Sequence, residues 1–210
     1  MKINLLLMTT VLSGLLACSA VTGAELPVGA DHVTPLAVGK RLPEVTVKTA
    51  EGQDFDLAAQ TSGKPTVVIF YRGGWCPYCN LHLAQLQEAE PKLLALGYQI
   101  LAISTDRPED LHVTTDKHHL TYTLLSDRQM VAASAFHVAF KLPEAEREKY
   151  AKFNIDVPSI PNDPNGRWLP VPSVFIVNKQ GEIKFVHSNP DFKKRISMPD
   201  LLAAAETAAQ

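Results

Sequence analysis

The chain has 210 residues, 46% of them hydrophobic and 20% charged, with 20 basic against 22 acidic side chains. That balance excludes a disordered polar tail and a collagen-like repeat, and three cysteines are too few for a disulfide-dense mini-protein. A formal charge of -2 supplies no basic patch for nucleic acid or an anionic membrane surface, and the length suits one domain with a full core.

Residues 1–24 read as an export signal: Lys2, an apolar run from Ile3 to Ala17, then small residues from Cys18 to Ala24. The run is shorter than the roughly 20 apolar residues a membrane span needs. Leu15-Leu16-Ala17-Cys18 resembles the lipobox of bacterial lipoproteins, in which the cysteine receives the lipid. Cleavage after Ala24 is the alternative. Both readings export the protein, to the periplasm or, through a lipid on Cys18 alone, to a bacterial membrane. Both also leave Cys76 and Cys79 as the working cysteines, in a compartment that permits disulfides.

Residues 25–38 are rich in proline and glycine and read as a tether or edge-covering arm ahead of a domain over 39–208. Leu42 to Val47 alternates like a strand, Glu51-Gly52 turns, and a short helix follows at Leu57 to Gln60. Thr66 to Tyr71 is β-branched, aromatic and apolar on both faces, as a central strand covered by helices must be. Leu83, Leu86, Ala89, Leu93 and Leu96 recur every three or four residues and predict a helix from Cys79 to Leu96, with Pro91 a candidate kink. A second buried strand spans Tyr98 to Ile103. Ser104-Thr105-Asp106 offers caps for a helix from Pro108 to His118. A third strand, Tyr122 to Leu125, precedes Ser126-Asp127 as the cap of a helix from Arg128 to Phe136. Strand and helix alternate, so the expected architecture is a three-layer α/β domain with right-handed crossovers.

The stretch 137–172 breaks that rhythm. Pro143-Glu144 starts a helix to about Phe153, and Pro158, Pro161, Pro164, Pro170 and Pro172 speak against regular structure beyond it. An insertion this long argues for a role such as lining or covering the site. Ser173 to Val177 and Ile183 to His187 read as an antiparallel hairpin, and a last helix runs from Met198 to Ala208.

The chemistry converges on Tyr71-Arg72-Gly73-Gly74-Trp75-Cys76-Pro77-Tyr78-Cys79. Cysteines at i and i+3 share one side of a first helical turn, close enough for a disulfide. Cys76 at the helix start meets unpaired N–H groups and the positive dipole end, which lower its thiol pKa. Cys79, one turn further in, is the buried resolving thiol. Pro77 suits the first helical position because it has no N–H to waste. A zinc site needs four ligands, and His82, His118 and His119 do not converge with the cysteine pair, so no metal is expected. No flavin, haem or nicotinamide motif appears, and no cofactor is expected.

These residues resemble the thioredoxin superfamily, and within it the peroxiredoxin-like proteins of the alkyl hydroperoxide reductase and thiol-specific antioxidant group. Phe70 to Asn80 and Leu169-Pro170-Val171-Pro172-Ser173-Val174-Phe175-Ile176-Val177 carry the resemblance, which covers Val38 to Ala208. It implies a thioredoxin-like fold with a central mixed sheet, an N-terminal hairpin extension and an insertion at 137–172. It also implies that Val171-Pro172 is the cis-proline dipeptide facing the redox pair. Gly73 stands where that group has a threonine, and Pro172 where it has an arginine. Arg72 and Arg167 are the candidates to supply the positive charge.

The expected function is a thiol–disulfide oxidoreductase with antioxidant activity. Cys76, Cys79 and Pro172 form the reacting centre, and Arg72, Gly73, Trp75, Tyr78 and Val171 hold a protein disulfide or small hydroperoxide. A thioredoxin-like partner would return electrons, and a homo-oligomer is common in the resembled group. Two other readings use the same fold: a reductase resembling the cytochrome-maturation thioredoxins, and a copper-handling protein with His187 as distal ligand.

Overall fold

The computed structural model describes residues 27–209. The export-signal and Cys18 lipidation readings lie outside the described residues. Strands β1 (Thr46–Lys48), β2 (Asp54–Asp56), β3 (Thr66–Phe70), β4 (Gln99–Ser104), β5 (Thr123–Ser126), β8 (Ser173–Val177) and β9 (Ile183–Ser188) form one mixed sheet. A separate pair, β6 (Ala139–Lys141) and β7 (Trp168–Pro170), lies in the insertion. Across the main sheet the order is β2-β1-β5-β4-β3-β8-β9, with β3, β4 and β5 parallel and the remaining pairings antiparallel.

Alternation along β3 explains the two helical layers. Val67, Ile69 and Tyr71 face a core shared with α2 (Pro77–Ala95), α3 (Pro108–His118) and α6 (Met198–Ala208). Val68 and Phe70 face the opposite core with α1 (Leu57–Thr61) and α4 (Val131–Ala135), where Phe70, Phe136 and Phe175 pack ring against ring. Strands buried on both faces must read as unbroken apolar runs, and both β3 and β8 do. Helix α2 continues through Pro91 and ends before Gly97, whose φ of 86° lies in the left-handed region.

Three local expectations need correction. Helix α3 is not capped by Ser104-Thr105-Asp106; Arg107 takes the N-cap position without a side-chain bond, because the Asp106 carboxylate turns instead to the Gly74 N–H. The stretch from Leu42 does not enter the sheet until Thr46. Leu42 N–H donates instead to Gly181 O in the β8–β9 turn, and Gly39 N–H, just before the stretch, to Ile183 O at the start of β9. Regular structure also persists beyond Phe153, since β7 pairs with β6 and its proline falls at the strand end, where no N–H is required.

The insertion has a small core of its own. Phe140, Leu142, Val157, Leu169 and Val171 are buried together, and Tyr150 of α5 (Glu144–Lys152), Ala30, Val33 and Trp75 pack against them. The N-terminal arm is tied to this unit, with Gly29 N–H donating to Lys141 O and Lys141 N–H to Pro27 O.

Candidate active site

The turn between β3 and α2 is held from both sides. Tyr71 N–H donates to Ile103 O and Thr105 Oγ1 donates to the Arg72 carbonyl, which fixes the strand end on β4. Asp106 Oδ2 accepts from the Gly74 N–H at 2.8 Å and from Ser104 Oγ at 3.0 Å, and burial raises the Asp106 carboxyl pKa. Asn80 Nδ2 closes the loop onto Gly74 O. The two glycines are required by close packing. A Cβ on Gly73 would run into the Trp75 indole nitrogen and lie 2.7 Å from Asp106 Oδ1, and one on Gly74 would meet Thr114 Oγ1.

This turn sets Cys76 at the N-cap of α2 with Pro77 following, and it places Cys79 one turn in. Both thiols are free and buried. The Cys79 thiol donates to the Cys76 sulfur and is the largest influence lowering the Cys76 pKa. Burial opposes it, and the Cys79 backbone N–H, Arg72 and Arg195 add to it; the outcome is a thiol brought from 9.0 down to about 6. Cys79 moves the other way: burial pushes its thiol up, and the neighbouring Cys76 sulfur adds to that.

Arg72 Nη1 lies 3.9 Å from Cys76 Sγ. Its guanidinium is buried and pairs with no carboxylate within 4.0 Å among the described residues. Aromatic rings cover it instead, with the centroids of Phe192, Trp75 and Tyr150 at 4.0, 4.9 and 5.3 Å from Cζ. The charge therefore stays beside the sulfur without being neutralised. Cys76, Arg72, Trp75 and Tyr78 open onto a cavity of about 400 Å³, closed on its far side by Glu146, Lys149, Tyr150, Phe153 and Ile155 of the insertion and by Phe192. Tyr78 stacks edge-on with Phe192, and Trp75 with Tyr150.

Other residues singled out from sequence lie apart from this cavity. Gly73 is buried beneath Trp75. Val171 and Pro172 line a second cavity of about 570 Å³, which shares Arg72, Glu146, Tyr150 and Phe192 with the first but not the cysteines. No peptide bond among the described residues is cis, so the expected cis-proline dipeptide is corrected: Val171-Pro172 is trans. Extended chain runs from β7 into β8, Val171 N–H donates to Val138 O, and a trans bond satisfies both pairings. Arg167 donates to the Pro164 and Gly166 carbonyls and takes no part in the cavity. Trp168 is buried in the core shared with α1 and α4, with Lys141 over its ring.

Sequence reasoning missed Arg195, whose Nη2 lies 3.6 Å from Cys79 Sγ, together with Phe192 and Tyr150. The cationic run Lys193-Lys194-Arg195, set just before the final helix, was the available signal. Among the described residues no three of His, Cys, Asp and Glu gather in a group able to hold a metal ion.

A lowered thiol beside a buried partner thiol, at a helix start on a mixed sheet flanked by helices, defines a thiol-based oxidoreductase on a thioredoxin-like fold. Comparison with known proteins agrees. The AhpC/TSA family model matches residues 38–186, and the chain belongs to that family. A putative peroxiredoxin of Haemophilus influenzae is 31% identical over 106 residues, spanning 50% of this chain and 68% of the relative. Among solved structures, the peroxidoxin BcpB of Mycobacterium tuberculosis superposes with a TM-score of 0.63 at 19% identity, covering 82% of this chain and 97% of its own. Reduced Prx3 of Vibrio vulnificus gives 0.65 at 16% identity, covering 81% and 99%.

Proposed function

We propose that this protein reduces disulfides, and hydroperoxides by the same centre, through the Cys76–Cys79 dithiol. The observation carrying the proposal is Cys76 at the lining of an open cavity, its sulfur 3.9 Å from an Arg72 guanidinium that pairs with no carboxylate among the described residues. The Cys76 thiolate attacks one sulfur of a substrate disulfide; the second substrate sulfur leaves with the bonding pair and is protonated. Cys79 then attacks Cys76 Sγ, releasing the remaining substrate thiol and leaving a Cys76–Cys79 disulfide. With a hydroperoxide, Cys76 takes the terminal oxygen as a sulfenic acid and expels an alcohol or water, and Cys79 displaces the hydroxyl as water. A thioredoxin-like dithiol partner in the export compartment returns two electrons. Arg72 supports either route by holding negative charge at Cys76.

Peroxide reduction is favoured by the match to a family of named peroxiredoxins. The Gly73 and Pro172 positions, which lack the threonine and arginine of that group, leave Arg72 to polarise the peroxide. The deciding experiment measures reduction of insulin disulfides and of hydrogen peroxide by wild type, Cys76→Ser and Cys79→Ser. Cys76→Ser abolishes both activities, whereas Cys79→Ser makes one attack and stops at an adduct visible by intact mass. Turnover surviving in Cys76→Ser overturns the assignment.

A further inference from the structure

Each of the two reacting sulfurs has its own arginine. Arg72 faces Cys76, as described, but Arg195 is directed at the other sulfur, with Nη2 3.6 Å from Cys79 Sγ. Its side chain is pinned locally, since Nη1 donates to the Phe192 carbonyl and, at 3.1 Å, to Lys194 O. No carboxylate lies within 4.0 Å of Arg195 among the described residues, and its buried Nε has no partner. Nor do the neighbouring histidines satisfy it. His82, one turn along α2 from Cys79, is held neutral by burial, with Arg195 adding to the effect, and its pKa falls to about 4. His187 on β9 is shifted down by the same two causes. The Nε2 atoms of both histidines lack partners as well. The one charged donor in this buried group is therefore aimed at a sulfur that is completely enclosed.

We infer that Arg195 is a catalytic residue of the second step: its guanidinium stabilises the Cys79 thiolate that attacks Cys76 Sγ. The inference rests on the reading of Cys79 as the resolving thiol. In the resting dithiol the anion resides on Cys76, where the Cys79 thiol donates to it. Once Cys76 has become a mixed disulfide its charge is gone, and the guanidinium of Arg195 has no carboxylate within 4.0 Å among the described residues. The released substrate thiolate accepts a proton, Cys79 loses one, and the buried anion that results at Cys79 needs a charged donor to exist at all. Two thiols are oxidised by two electrons and one substrate disulfide is reduced to two thiols, so the step balances without another reactant.

Stopped-flow mixing of the reduced full chain with dithiobis(nitrobenzoate) separates the steps, because each releases one coloured thiolate. Wild type gives two phases. Arg195→Met keeps the first phase within about threefold and slows the second about tenfold or more, the size of one charge-assisted hydrogen bond. Intact mass shows the Cys76 adduct accumulating, and the second phase of the variant moves to higher pH. Arg195→Lys, which keeps the charge, recovers part of the rate and covers the case in which Arg195→Met does not fold. An unchanged second phase in Arg195→Met overturns the inference, as does equal slowing of both phases or a Lys variant no faster than Met. A single phase in wild type, unaffected by Cys79→Ser, overturns the dithiol reading itself whatever Arg195 does.

Discussion

The three-layer body and the 137–172 insertion differ in how much apolar surface holds them. The body buries two extensive clusters on either side of β3, β4 and β8, whereas the insertion packs around a cluster of five buried side chains and is tied to the body's core through Val138, Ala139 and Trp168. Cys76, Cys79 and Arg72 belong to the body, yet the wall opposite the sulfur, formed by Glu146 to Ile155, belongs to the insertion. Reacting atoms thus sit in the larger core, where opening is expected to need global unfolding, and the surface that meets the substrate sits on the smaller cluster, where local opening is expected to cost less. Chemistry that depends on the positions of sulfur and guanidinium needs the first arrangement. Admission of substrates of different shape is served by the second.

The strongest way to break this comparison is through the cores. Phe136→Ala removes a ring packed at 5.0 Å from Phe70 and 4.9 Å from Phe175. It should cost about 3–5 kcal/mol in chemical denaturation. Leu169→Ala in the insertion core removes an equally buried side chain and should cost less, because the smaller cluster around it is expected to open ahead of the body. Amides of β6 and β7 should then exchange with solvent sooner than those of β3 and β4, in wild type and more so in this variant. Equal protection in all four strands would show the insertion to be an integral part of the main core. Tyr150→Ala tests the wall directly. It removes one ring from Arg72 and the edge contact with Trp75, and it should raise KM for a bulky disulfide about tenfold while leaving the melting temperature nearly unchanged.

The same division governs what the sequence made legible. The central strands, the long helix and the dithiol were readable because apolar continuity, a spacing of three or four and a Cys-Pro-Tyr-Cys run are local patterns. The Asp106 acceptor was misassigned to a helix cap because its partner, the Gly74 N–H, lies 32 residues away and no local rule encodes that pairing. The β6–β7 pair was missed because prolines were weighed as breakers, without regard to which N–H groups a two-stranded edge uses. Arg195 lies 116 residues from Cys79, and only the packing of α6 against α2 brings it there.

A smaller effect sharpens the electrostatic half of the comparison. The reactive form of Cys76 is its thiolate, and the folded pKa is lowered from 9.0 to about 6, so alkylation should rise with pH through about 6 and then level off. Replacing Arg72 by Met removes one of the favourable charges and should move that midpoint up by about one unit or less, because the first contribution comes from Cys79 and remains. Stability follows the same sign. The unfolded thiol binds a proton that the folded one has released, so this group's contribution is lost as pH falls through about 6 and is complete only above 9.0. The melting-temperature difference between reduced wild type and Cys76→Ser should therefore grow from pH 6 toward pH 9. A flat difference would mean that the body of the protein does not hold this anion, and that the insertion or the substrate must do so.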